Sequence, residues 1–470
     1  MITSPKNESV TIPSLTVAAL RGGSGKTIVS LSITHALARS GMKVTCFKKG
    51  PDYIDAAWLA KASGGPCYNL DPFLMEEATI KDSFALRSRE SDIAIVEGNR
   101  GLYDGMDIEG TSSTARLSTM LNVPILLVVD CTKSTRTVAA LVLGCIKFEP
   151  GLNFIGVVLN RIAGPRHRKI VTKAIETYTG LPVLGFIPRL KQDPLPMRHL
   201  GLTPTDEFSG PSQALKGLAE LAEKHINLGE IVSICNQTPA TINTSTDIKA
   251  LFKISGATSY RGLKLGIMRD AAFQFYYPEN LEALELLGAE LIYLNGLTDK
   301  DIPNIDGLYI GGGFPETQAA TLETNKTFRK RLLNLIEKGL PVYAECGGLM
   351  YLGRSINWNN QDYEMVGALP FHFEMKKRPA GHGYTTLQFE KDSPFYSKGA
   401  VIKGHEFHYS KPLALNERDG VFACKVIRGS GFDGKHEGYV FKNTFSTYTH
   451  IHALGQKEWA STFLKGVARR

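Results

Sequence analysis

From residue 15 onward, aliphatic and β-branched runs alternate with stretches whose apolar positions recur at helical spacing. This pattern predicts an α/β chain with a largely parallel sheet and crossover helices. Strands are expected at 15–20, 43–48, 93–97, 125–130, 154–160 and 182–187. Their near-continuous apolar character suits strands covered on both faces. Helices are expected at 27–40, 114–121 and 134–144. The polar string Thr238-Pro-Ala-Thr-Ile-Asn-Thr-Ser-Thr246 interrupts the pattern and reads as part of a linker over 231–261, dividing a domain at 1–230 from one at 262–470. The alternation then resumes, with strands at 264–268, 291–294, 307–310 and 342–344 and helices at 279–287 and 328–338. From 367 to 451 the apolar positions become aromatic and alternate singly, which predicts antiparallel strands and hairpins.

Composition narrows this picture. A chain of 470 residues, 43% hydrophobic and 21% charged, can form two or three domains with cores of their own. No apolar run is long enough to span a bilayer, and residues 1–14 lack the apolar stretch of a signal peptide, so a cytoplasmic protein is expected. Seven cysteines without a C-x-x-C pair argue against a disulfide framework or a zinc ribbon. The net charge is +8, yet its densest patches, Lys48-Lys49 and Arg166-His-Arg-Lys169, are too short for a nucleic-acid tail. A polyanionic small substrate or ATP would use the surplus equally well.

Arg21-Gly-Gly-Ser-Gly-Lys-Thr27, between a predicted strand and a predicted helix, has the context of a phosphate-binding loop. Gly23, Ser24 and Gly25 would offer backbone N–H groups, Lys26 would meet the β- and γ-phosphates, and Thr27 would hold Mg²⁺. Leu20 stands where the usual pattern has glycine, and the loop instead resembles those of dethiobiotin-synthetase-like and MinD-like ATPases. Asp52 and Asp55 follow the strand ending in Lys48-Lys49, and Glu97 closes another strand. Acids at that edge would hold magnesium, Asp52 and Glu97 foremost, and orient an attacking carboxylate. Asn160, at a further strand end, is a candidate for reading the adenine base.

Far downstream, Ala344-Glu-Cys346-Gly-Gly-Leu349 puts a thiol between a strand and a helix-compatible segment, as in a nucleophile elbow. A helix N-terminus there would lower the thiol pKa. Gly312 and Gly313, after another strand, would supply an oxyanion hole, and His450 a base. On a strand His452 would share the face of His450.

These features resemble one family, the glutamine-dependent cobyrinic acid a,c-diamide synthases, which fuse a dethiobiotin-synthetase-like ATPase to a class I glutamine amidotransferase domain. The segments that carry the resemblance run in the family's order: Gly50–Asp55, Asn69–Pro72, Gly101–Gly105, Val128–Asp130, Leu159–Arg161, Arg198–Leu202, Phe275–Asn280, Gly311–Glu316, Tyr343–Leu352 and Gly404–Ser410. The resemblance implies that ATP activates a peripheral acetate of a tetrapyrrole while Cys346, with His450 as base, releases ammonia from glutamine. Asp52, Asp55 and Glu97 match acids of the synthetase centre. Tyr53, Tyr103, His405 and His408 fall in segments that would face the macrocycle. Lys49 and Arg100 depart from the family's usual residues and would meet additional substrate carboxylates, which leaves siroheme or sirohydrochlorin open beside cobyrinate. A homodimer is also left open, and so is a reading of another class, a MinD-like ATPase switch with a non-catalytic C-terminal module.

Overall fold

The computed structural model describes residues 8–198, 201–244, 246–254, 259–414 and 420–469. The chain divides into two units, with the break between Leu251 and Phe252. His199 and Leu200 of the Arg198–Leu202 segment, and Ser245 of the polar string, lie outside the described residues.

The first unit is built on a seven-stranded sheet in the spatial order Cys67–Leu70, Val44–Lys49, Ile93–Glu97, Ser14–Ala19, Ile125–Asp130, Phe154–Ile162, Val183–Pro188. Every neighbouring pair is parallel. The central strands are buried along their length, the outcome their unbroken apolar runs call for. Helix Lys26–Arg39 packs Val29, Leu31, Ile33 and Leu37 into the core on one face, and helix Thr137–Phe148 packs Val138, Ala139 and Val142 into the core on the other. Because the strands run one way, the loops that follow Ala19, Lys49, Glu97 and Asp130 emerge at a single edge.

The stretch expected to be a linker is largely structured. Helix Leu228–Gln237, strand Ala240–Thr244 and the short helix Ile248–Leu251 all belong to the first unit. The strand alternates buried Ala240, Ile242 and Thr244 with exposed Thr241 and Asn243, and pairs antiparallel with Glu8–Ile12. A period-two signal was present, but threonine and asparagine carry it too weakly to stand out from a polar loop.

The second unit holds a nine-stranded sheet in the order Glu290–Leu294, Lys264–Met268, Gly307–Ile310, Val342–Glu345, Thr444–Thr447, His436–Phe441, Val421–Arg428, Gly381–Phe389, Val401–His408. The first five strands are parallel, and from Thr444–Thr447 onward the pairs are antiparallel, as the aromatic alternation predicts. A four-stranded sheet of Gln361–Glu364, Ser355–Trp358, Phe371–Met375 and Ser410–Ala414 accompanies it. On one side of the large sheet, Tyr309, Tyr343, Trp459 and Phe463 pack ring against ring, largely edge-on, at centroid distances of 5.4 to 6.2 Å.

Glu437 sits fully inside this unit. Its Oε1 accepts the amides of Gly438 and Tyr448, while Oε2 is buried without a hydrogen-bond partner. Burial raises its pKa to about 8, against the pull of the two amides. Between its ordinary value and about 8 the folded chain keeps a proton that the unfolded chain has released. The associated stability is therefore lost as pH rises through that window. Glu437→Gln keeps the accepting oxygen and removes the ionisation. Thermal unfolding followed against pH should show the variant's midpoint a few degrees above wild type above pH 8 and a flatter decline.

Candidate functional site

At the carboxyl edge of the first sheet, residues 20–25 form a turn that runs directly into helix Lys26–Arg39. Gly23 and Gly25 have φ of 72° and 97°, a region where glycine alone is unstrained. The shape is held from beneath by Asn160, whose Nδ2 donates to the Ser24 carbonyl at 2.8 Å and would lie 2.1 Å from a Cβ at Gly25. Asn160 Oδ1 accepts the Arg161 amide. The Asn160 side chain therefore braces the phosphate loop from the neighbouring strand end.

The acids converge on a lysine that the motif reading passed over. Lys48 Nζ lies 2.6 Å from Asp55 Oδ2, 2.9 Å from Glu97 Oε1 and 3.3 Å from the Gly98 carbonyl. Burial alone would lower its pKa, but the two carboxylates outweigh burial and hold it above the ordinary lysine value. Glu97 is raised by burial despite Lys48. Asp52 is raised to about 6 by burial and by Asp55, and its Oδ1 caps the helix Ile54–Ser63 at the Asp55 amide, 2.9 Å away. Thr27 Oγ1 donates to Glu97 Oε1 at 2.8 Å, and Glu97 Oε2 is buried with no hydrogen-bond partner. Lys26 Nζ reaches the Arg100 carbonyl at 2.5 Å, and burial lowers its pKa. Arg100 takes φ of 51°, which turns that carbonyl inward.

The flanking candidates fare unevenly. Lys49 is buried, and burial lowers its pKa against the opposing charge of Asp71. Tyr53 stands half-buried at the start of helix Ile54–Ser63. Tyr103 is a correction: its hydroxyl donates to the Cys145 carbonyl and its ring packs on Phe148 at 4.9 Å, so it serves helix Thr137–Phe148.

In the second unit Cys346 ends strand Val342–Glu345 with φ 46° and ψ −97°, a strained conformation of the kind a nucleophile elbow imposes. Its amide donates to Thr447 O at 2.7 Å, and its Sγ is 4.0 Å from Phe407 O. The expectation of a lowered thiol pKa is overturned. Burial, then Glu316 and Glu345, push it up, and the following helix of six residues does not compensate. Gly313 has φ of 155°, and a Cβ there would lie 2.0 Å from Ala272 O. A Cβ at Gly312 would lie 2.4 Å from His450 Cε1, so the glycine loop lies against the histidine.

His450 Nδ1 meets Glu345 Oε2 at 3.1 Å, a carboxylate beside the thiol that the motif reading passed over. Burial raises the pKa of Glu345, opposed by His450. The strand ends at Thr447, so His450 and His452 do not share a strand face. His452 Nε2 instead lies 3.5 Å from Glu279 Oε1, with its ring on Tyr277 at 4.4 Å. His405 and His408 are corrections as well. Both are buried inside the second unit: His405 stacks on His450, and His408 stacks on Tyr448 at 3.7 Å with Nδ1 at the Ser410 carbonyl.

Residues 15–201 match the CobQ/CobB/MinD/ParA nucleotide binding domain family, and residues 264–458 match the CobB/CobQ-like glutamine amidotransferase domain family. Over nearly the whole length the chain is similar to proteins named cobyrinate a,c-diamide synthase. That of Magnetococcus marinus is 41% identical over 96% of both chains, and that of Archaeoglobus fulgidus 38% over 98% of both. That of Methanosarcina acetivorans is 37% identical over 98% of this chain and 97% of its own.

Proposed function

Since the chain belongs to the cobyrinate a,c-diamide synthase family, we propose that it converts the a and c acetates of cobyrinate to amides, using ATP and glutamine. The reading is carried by a likeness that spans 96% of both chains and so includes both centres.

A carboxylate is a poor electrophile, so its oxygen first attacks the γ-phosphorus of ATP, giving an acyl phosphate and ADP. The residue 20–27 loop holds the phosphates through its amides and Lys26. Thr27, Glu97 and Asp52 fit a magnesium ion: all three offer oxygen donors, and Glu97 Oε2 is buried without a partner. Bound there, magnesium would draw charge from the phosphate oxygens. Lys48 fixes Asp55 and Glu97 in place, and Lys49 and Arg100 meet substrate carboxylates.

In the second unit, His450, oriented by Glu345, takes the Cys346 proton as sulfur attacks the glutamine amide carbon. The amides of Gly312 and Gly313 receive the developing oxyanion. The C–N bond breaks with proton return to nitrogen, ammonia leaves, and water hydrolyses the thioester to glutamate. Ammonia then attacks the acyl phosphate and expels phosphate. Because the thiol rests protonated, its activation waits on the imidazole.

Incubation with ATP, magnesium and amide-labelled glutamine, in parallel with cobyrinate, sirohydrochlorin and siroheme, tests the reading. Mass spectrometry should find two labelled amides on cobyrinate. Label entering only a sirohydrochlorin-type substrate would move the assignment to that macrocycle, and label entering none would refute amidation.

A further inference from the structure

The segment Gly404–Ser410 has no role in the chemistry above, yet it lies against the proposed base. The backbones of His405 and His450 exchange two hydrogen bonds, His405 N to His450 O at 3.1 Å and His450 N to His405 O at 2.7 Å. The approach depends on the preceding residue. A Cβ at Gly404 would sit 2.2 Å from the His450 carbonyl oxygen and 2.5 Å from Thr449 Cγ2, so any larger side chain would force the two segments apart. The imidazole of His405 lies over that of His450 with centroids 5.0 Å apart and planes inclined by 27°. The His405 ring is itself tethered, its Nδ1 meeting the Tyr277 hydroxyl at 3.3 Å.

His450 is thereby bounded in three directions: Glu345 at Nδ1, the glycine loop at Cε1, and the His405 ring over its face. Two contacts at the ring edge leave rotation about the line joining them. A third, on the face, removes it. We propose that His405 is a positioning residue of the amide-cleaving centre, its ring fixing the plane in which His450 moves protons to and from Cys346 and the departing nitrogen. Burial and then the neighbouring His450 hold the pKa of His405 well below the ordinary histidine value. The stacked ring therefore stays neutral and does not repel His450 when that residue carries the thiol proton. The inference rests on the glutaminase reading of Cys346 and His450.

The test measures steady-state glutamine hydrolysis by the full chain. His405→Ala should lower kcat at least about tenfold with KM within about twofold, because a misplaced base slows chemistry more than binding. His405→Phe, which restores an aromatic face, should recover to within about threefold of wild type. Amidation driven by ammonium salt should be unchanged in both. If the alanine chain does not fold, His405→Asn, which offers Tyr277 a polar partner but no face, replaces it with the same expectations. A wild-type kcat in the alanine or asparagine variant, a loss confined to KM, or a phenylalanine variant no better than alanine at equal melting temperature would each overturn the proposal. A wild-type chain that releases no ammonia from glutamine would overturn the glutaminase reading and the inference with it, before any variant is compared.

Discussion

Cys346→Ser should abolish glutamine-driven amidation, by at least about a thousandfold, while amidation from ammonium salt continues near the wild-type rate. Serine occupies nearly the volume of cysteine, so the elbow, with its φ of 46° and its amide on Thr447 O, should survive the change. What is lost is the nucleophile, since an alkoxide is far harder to form than a thiolate, even from a thiol whose pKa burial has raised. Free ammonia enters after the glutaminase step and bypasses the loss. Assays with the two nitrogen sources, run side by side on the same preparation, give the comparison. Equal glutamine-driven rates in wild type and variant would remove Cys346 from the mechanism.

Glu97→Gln should show the opposite pattern. Synthesis should fall at least about a hundredfold with either nitrogen source, because phosphoryl transfer depends on positioned charge. Glutamine hydrolysis in the second unit should persist. The carboxylate does three things at once. Oε1 accepts from Thr27 and pairs with Lys48, and Oε2 is buried without a partner, where a cation would fit. Glutamine cannot supply the charge for the last two. The change also removes one counter-charge from a buried lysine, and breaking such a pair can cost about 3–5 kcal/mol, so thermal unfolding should accompany the kinetics. Lys48 retains Asp55 at 2.6 Å, which should keep the unit folded. Loss of hydrolysis together with synthesis would assign Glu97 a folding role instead.

How much the sequence disclosed depended on how local each signal was. Central strands such as Ile93–Glu97 and Ile125–Asp130 were legible to the residue because both their faces are buried. The phosphate loop and the cysteine turn were legible because glycine, lysine and thiol are neighbours in the chain. Lys48 was not, since its role needs both Asp55 and a residue 49 positions away brought to it by the fold, and the partnership of Glu345 with His450 spans 105 positions. The thiol pKa and the placement of His405 and His408 depend on burial, which no short string specifies. Tyr103 and Asn160 showed a further limit, because a motif can identify a residue without saying whether its polar end is already committed within the fold.

The enclosure of Cys346 also bears on how the protein ages. Oxidants and alkylating agents attack thiolates, and a sulfur kept both covered and protonated presents almost none. Cys346 should therefore resist air and mild peroxide between turnovers, becoming vulnerable only during the brief interval when a substrate amide occupies the elbow and consumes it.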